Sequence, residues 1–356
     1  MDPDSRAQSP LDPCAMPAWA EGGGPDGDVI LATGVWVARN VEGLFFPAKA
    51  DEATRESVVE IAQRAAARWN EQGEELLVYR MSELGDLVKQ VLVETHVSSR
   101  EHAQQRGAAL ALTADRGLSV LVHAEDHFRF QCALAGASVR EAWQQTEPLV
   151  ATFAGETRFA VREDLGYLTA APSNAGAGVG VWLRADAPAL WRLGGLAQAL
   201  ERPGNPRVDM QSPQGRAGQP VGGLMELRSR GPYRQSAEQV VADMERLAAG
   251  LVEAEREARR GVQTQRKREA VDWVWRAHAL LRSARMLKTS EALEHLSTLR
   301  LGVALGIVKG LDARALGHLG VMVGPAYVQA KAGKILDTGA RDYLRAGLVR
   351  RALGGK

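Results

Sequence analysis

An apolar run at 118–122 (LSVLV) breaks into Glu125, Asp126, His127 and Arg129 before Phe130 restores the pattern. A strand that ends in a carboxylate pair, an imidazole and a guanidinium carries the side chains that phosphoryl transfer uses. Carboxylates orient a cationic acceptor, while His and Arg face phosphate oxygens. The plainer alternative is an edge strand whose charged end is solvated. On pattern alone both stay open.

Those residues need a scaffold, and the chain supplies enough for two domains: 356 residues can bury two separate cores. Lys and Arg total 44 against 43 Asp and Glu, so no overall charge grips nucleic acid or an anionic membrane. Cys14 and Cys132 make neither a disulfide framework nor a metal quartet. The acidic, Pro-rich N-terminus lacks the apolar stretch of a signal peptide, and a cytoplasmic protein is expected.

Residues 1–27 read as a flexible arm in which only Trp19 suggests an anchor. Strands are expected over 28–38, 76–80, 118–122, 128–134, 179–183 and 222–227, with helices over 53–72, 85–92, 139–150 and 187–199. That pattern is an α+β fold on a largely antiparallel sheet. The Gly/Pro/Gln-rich stretch 203–223 reads as a loop long enough to be a lid or a substrate loop. From Ser236 the texture becomes helical: Val240, Met244, Leu247 and Leu251 form one seam. Helices are then expected over 270–288, 290–310 and 313–331, the last broken by Pro325, and in the basic tail. The expected division is arm 1–27, phosphotransferase domain 28–233 and all-helical domain 234–356.

Residues 122–131, VHAEDHFRFQ, resemble the N-E-E-D-H-x-R stretch of the ATP:guanidino phosphotransferases, the phosphagen kinases. DLGYLTAAPSNAGAG at 164–178 resembles their L-G-Y-L-T-x-C-P-T-N-x-G-T loop, and ATGVWVARN at 32–40 their S-S-R-x-R-x-A-R-N strand. The segment 281–310 resembles instead the helical domain of bacterial protein arginine kinases, and the likeness runs from about Trp19 to the end. It implies a phosphagen-kinase-like catalytic domain followed by a helical one, and transfer of phosphate from ATP to protein arginine. ATP and Mg are implied as cofactors only if the chain is active, and none otherwise. Implied partners are phosphoarginine or arginine-phosphorylated proteins, a quality-control protease, an active paralogue, and a second copy joined through the helical domain. Nucleic acid and membrane are not among them.

Carried over position by position, the likeness makes Glu125 the catalytic carboxylate with Asp126 beside it. His96, His127 and Arg129 become the nucleotide-contacting set. The chain departs from the pattern within the chemistry itself. Ala124 replaces an acid, Gly34 and Trp36 replace two nucleotide arginines, and Ala171 replaces the reactive cysteine. Gly180 and Gln211 replace two further arginines, and Arg216 the second catalytic glutamate. Arg184 shares a strand face with Gly180 but lies about 13 Å along it at ordinary strand rise. Each charge-assisted phosphate contact is worth roughly 1.5–3 kcal/mol, so losing these arginines removes on the order of 6–12 kcal/mol if additive. Half of that weakens ATP binding about a hundredfold or more.

In the helical part, Arg341, Asp342, Arg345 and Ala346 match the R-D-x-x-R-A motif that forms a phosphoarginine pocket in protein arginine kinases. Arg341 and Arg345, four apart, would project from one helix face and clamp a dianion, with Asp342 on the guanidinium. Solvated charge on a terminal helix is the plainer alternative. His102, His278, His295 and His318 lack ligand spacing, and Cys132 reads as a small buried apolar residue. The first reading is therefore a pseudokinase that binds phosphoarginine. The alternatives are an active kinase with a divergent nucleotide site and a structural subunit of an active paralogue.

Overall fold

In the computed structural model, which describes residues 11–202, 204–213, 219–231 and 235–355, the chain runs through strands and helices in this order. The first half holds β1 Ile30–Arg39, α1 Glu52–Asn70, β2 Leu76–Arg80, α2 Asp86–Glu94, α3 Arg100–Gln104, β3 Ala109–Thr113, β4 Leu118–Val122, β5 Phe128–Ala135 and α4 Val139–Ala154. Next come the two-residue strands β6 Val161–Arg162 and β7 Gly166–Tyr167, then β8 Val179–Asp186, α5 Pro188–Leu193, α6 Leu196–Leu200, β9 Val208–Gln211 and β10 Leu224–Ser229. The rest is helical: α7 Ala237–Gln265, α8 Lys267–Ser283, α9 Thr289–Ala304, α10 Ala313–Met322, α11 Pro325–Ala332 and α12 Thr338–Ala352.

Eight strands pair in the order β2-β3-β4-β5-β1-β8-β10-β9, every pair antiparallel. Alternation divides the two faces. Val35, Val37, Phe128, Phe130, Val181, Leu183, Met225 and Leu227 point to the face covered by α1, α4 and α7 and form the main core. Their neighbours in sequence, among them Trp36, Arg129, Trp182, Arg184 and Glu226, belong to the other face, which forms one wall of a cleft.

The fold class read from the sequence, α+β on an antiparallel sheet followed by helices, is the one observed. Besides the two-residue pair β6 and β7, two strands of the large sheet lay outside the expectation. β3 has the sequence ALALT, whose Ala and Leu carry little strand propensity, and β9 lies in the stretch read as loop. The helix expected over 187–199 is two short ones, because Gly194 turns left-handed at φ +73°. Gly324 and Pro325 likewise divide α10 from α11.

α7 begins in a capping box: Ser236 Oγ accepts from the Gln239 N–H, and Gln239 Oε1 from the Ser236 N–H. Its seam, Val240, Met244, Leu247 and Leu251, packs into the core of the sheet rather than among the later helices. The boundary expected at 233/234 falls on residues outside the described ones. A second core, with Leu293, Leu296, Leu299, Leu316, Leu319 and Val349, joins α9, α10 and α12. Two carboxylates, Asp186 at the end of β8 and Glu94 at the end of α2, tie the C-terminal helices to the first part of the chain. Asp186 accepts from Ser297 Oγ at 2.5 Å and Arg300 Nε at 3.0 Å, and Glu94 accepts from the Ala326 and Tyr327 N–H groups at 2.8 and 3.1 Å.

Of the arm, residues 1–10 lie outside the described ones and 11–27 pack against the body. Trp19 is buried and donates its indole N–H to the Thr95 carbonyl, and Arg116 donates to the Ala15 and Asp12 carbonyls. Among the described residues no helix is long and apolar enough to cross a membrane.

Candidate functional site

The residues from 123 to 127 form the turn between β4 and β5, entered through His123 in a left-handed conformation, φ +58°. Glu125 is exposed at its tip. Asp126 points inward and is 4% exposed; its Oδ1 accepts from Asn40 Nδ2 and the Ala170 N–H, each at 2.6 Å. Asn40 in turn accepts from the His127 N–H at 2.9 Å and donates to the Leu168 carbonyl at 3.1 Å. Burial pushes the Asp126 carboxyl upward, against the pull of those donors and of Arg129 and Arg39. Asp126, expected beside the catalytic carboxylate, ties together the end of β1, this turn and the 168–170 loop.

His127 is likewise occupied. Its Nδ1 accepts from the Val41 N–H at 3.0 Å, so Nε2 carries the hydrogen and donates to the Phe45 carbonyl at 3.0 Å. Both nitrogens are bonded to backbone and the residue is wholly buried, so the ring as it stands presents no free nitrogen at the surface. Burial, reinforced by His123, lowers its pKa to about 4, and burial does the same to His102. Because the folded value lies below the unfolded value of 6.5, the unfolded chain takes up a proton that the native ring refuses, and stability falls as pH drops from about 6.5 to 4. The stability gap between wild type and His127→Gln, read by chemical denaturation, is expected to shrink by about 2 kcal/mol from pH 7 to pH 5. A gap that holds or widens contradicts this.

The remaining expected residues meet in a cleft of about 1200 Å³ between the second sheet face and the helices α2, α10 and α11. Trp36, His96, Arg129, Trp182, Arg184 and Glu226 line it, and Arg341 reaches its rim. Arg129 lies over the Trp36 ring, 4.4 Å from its centroid, with no carboxylate in ion-pair range among the described residues. Burial, then Arg228, lowers its pKa to about 10. His96, held left-handed at φ +63°, sits 5.0 Å from Trp182 ring to ring and 2.8 Å from Glu226 Oε1. Glu125 and Asp126 are not among the residues that line the cleft.

Two of the lost arginines have a steric explanation. Gly34 pairs with Trp182 across β1 and β8, and Trp36 with Gly180. Each indole lies down over the glycine opposite: a Cβ at 34 would stand 2.1 Å from the Trp182 ring, and one at 180 would stand 2.3 Å from the Trp36 ring. The four residues interlock, and two indoles cover strand positions where the family pattern has arginine. Among the described residues no three His, Cys, Asp or Glu side chains cluster as metal ligands. Gln211 ends β9, Ala171 precedes a short 3-10 turn, and Arg216 lies outside the described residues.

The motif on α12 also divides. Arg341 is half-buried, donating to the Leu336 carbonyl and Thr338 Oγ1 at 3.1 and 3.2 Å. Arg345 is 1% exposed and donates to the Val323 carbonyl, the Leu287 carbonyl and Asp342 Oδ1, at 2.6, 2.8 and 2.5 Å. Ala346 is in the helical core. The expected two-arginine clamp is thus one available guanidinium, Arg341, above a buried Arg345–Asp342 pair. Sequence reasoning missed Glu226, Arg228 and Trp182. A charge alternating with apolar residues in LMELRS was the available signal.

Residues 57–258 match the family model "ATP:guanido phosphotransferase, C-terminal catalytic domain", and residues 267–355 match "Protein-arginine kinase McsB C-terminal domain". A protein-arginine kinase of Symbiobacterium thermophilum is 32% identical over 341 residues, 94% of this chain and 96% of that one. One of Moorella thermoacetica is 33% identical over 343 residues, 95% and 97% of the two chains. Among solved structures, the duplicated taurocyamine kinase of Schistosoma mansoni with bound transition-state-analogue components superposes with a TM-score of 0.58 at 19% identity, over 66% of this chain. This chain spans 34% of that duplicated one. Lombricine kinase gives 0.57 at 16%, over 73% and 74% of the two chains. At these identities the superpositions speak to the fold.

Proposed function

Because the chain belongs to the protein-arginine kinase family of ATP:guanidino phosphotransferases, we propose that it is a pseudokinase, a member that keeps the fold, has lost phosphoryl transfer, and acts by binding phosphoarginine on partner proteins. The observation that carries the first half is the interlocked Trp36–Gly180 and Trp182–Gly34 pairs, which fill the sheet face that phosphate-binding arginines would need. Phosphoryl transfer rests on positioning and charge stabilisation, so a face without its cations loses both nucleotide affinity and rate.

The second half rests on Arg341. Its guanidinium stands at the rim of a cationic cleft, and a phosphoryl dianion pairs well with such a group. In this reading Asp342 and Arg345 position the helix that presents it. A role in protein quality control follows from the partner class, a protein already phosphorylated on arginine.

Calorimetry with free phosphoarginine and with Mg-ATP tests both halves. Phosphoarginine is expected to release heat that Arg341→Ala reduces at least tenfold, and Mg-ATP at millimolar concentration to give neither heat nor thermal shift. A ligand at about a hundred times its Kd would add about 2.7 kcal/mol, so binding would be plain. Phosphoarginine heat unchanged by Arg341→Ala would refute the binding site. One observation favours an active enzyme: the Glu125 carboxylate is exposed beside the strand that carries Arg129. Transfer of labelled phosphate from ATP to an arginine-rich protein would establish that reading instead, with ATP and Mg as its cofactors.

A further inference from the structure

The floor of the cleft has an unusual charge balance. Arg184 on β8 and Arg228 on β10 meet one carboxylate, Glu226, whose side chain is 3% exposed, while Arg129 on β5 lines the same cleft outside ion-pair range of it. Glu226 Oε1 lies 2.8 Å from His96 Nε2 and 3.6 Å from Arg184, and its Oε2 lies 3.3 Å from Arg228. The nearby Glu94 is held by two backbone N–H groups of α11 and feels the Arg184 charge without pairing with it. The Nε atoms of Arg129, Arg184 and Arg228 are buried and find no acceptor among the described residues. Burial opposes charge on Glu226, yet His96 and the two arginines outweigh it and hold its carboxyl well below the usual range.

We infer that Glu226 is a resident anion: its carboxylate takes the place a small bound anion would occupy among His96, Arg184 and Arg228, and so sets which ligands the cleft floor refuses. The Arg184 side chain is 11% exposed and the Nε atoms of all three arginines are buried, so removing the carboxylate charge leaves these cations short of a counter-charge and creates a demand for an anion from solution. Glutamine at 226 keeps the shape and drops the charge; alanine also vacates the volume. The ligand class then admitted is a compact phosphate or pyrophosphate without a nucleoside. The inference rests on the reading that Trp36 and Trp182 keep nucleotide out, but it concerns a different barrier: indoles exclude the nucleotide, a carboxylate excludes the bare anion.

The test is calorimetry and thermal denaturation of the full chain, wild type against Glu226→Gln and Glu226→Ala, with sodium pyrophosphate and with Mg-ATP at constant ionic strength. Pyrophosphate is expected to bind both variants at least tenfold more tightly than wild type, and Mg-ATP to bind none of the three. A variant that folds only when pyrophosphate is present supports the inference. Folded variants that bind pyrophosphate no better than wild type overturn it. So do variants that stay unfolded at every pyrophosphate concentration, because the added anion should replace the lost charge. Mg-ATP binding to wild type would overturn the nucleotide reading, while the pyrophosphate comparison would still decide the role of Glu226.

Discussion

Restoring arginine at position 180 alone is expected to give a less stable protein that still transfers no phosphate. The backbone there has room for a hydrogen and little else: even the first carbon of a side chain would come within 2.3 Å of the Trp36 indole. That ring must rotate out of its place between β1 and β8, and forced overpacking of this kind costs about 1–3 kcal/mol. Gly34→Arg is expected to behave alike against Trp182, where the approach is 2.1 Å. Trp36→Arg combined with Gly180→Arg removes the obstruction, and most of the lost stability should return. Urea denaturation of the two singles and the double reads this directly as a non-additive pair. Equal losses in single and double would mean that Trp36 is not the obstacle.

The second large effect concerns Arg345. Its guanidinium makes three hydrogen bonds inside the helical region and is 1% exposed. Arg345→Met is expected to cost about 3–5 kcal/mol, since it strands the Asp342 carboxylate and two carbonyl oxygens away from water. Arg341→Ala, four residues earlier, breaks two weaker contacts near the surface and should cost within about 1 kcal/mol. Denaturant midpoints of the two variants separate a residue that holds the helix from one that faces a ligand. If Arg345→Met is as stable as Arg341→Ala, the buried assignment is wrong.

The fold was largely legible because strand alternation and helical seams are local signals. β4 and β2 begin and end where alternation and punctuation place them, and α4 only runs a turn further. β3 was hidden because Ala and Leu say little about strand, and its pairing with β2 and β4 is a long-range fact. α7 was assigned to the helical part from its seam alone; a seam declares that a face is buried, not against what.

The site was legible in its losses and less so in its gains. Replacement of arginine by Gly34 and Gly180 can be seen in the string, but the indoles that occupy the space come from the neighbouring strand through the register. Asp126 and His127 match a motif, yet the structure engages both in holding the β4–β5 turn. A motif can persist because folding needs it.

The two tryptophan–glycine crossings impose an order on change. Each indole forbids a side chain on the glycine opposite it, while the glycine places no such limit on the indole. Any larger residue can therefore enter at position 34 or 180 without strain only after the tryptophan facing it on the adjacent strand has been replaced.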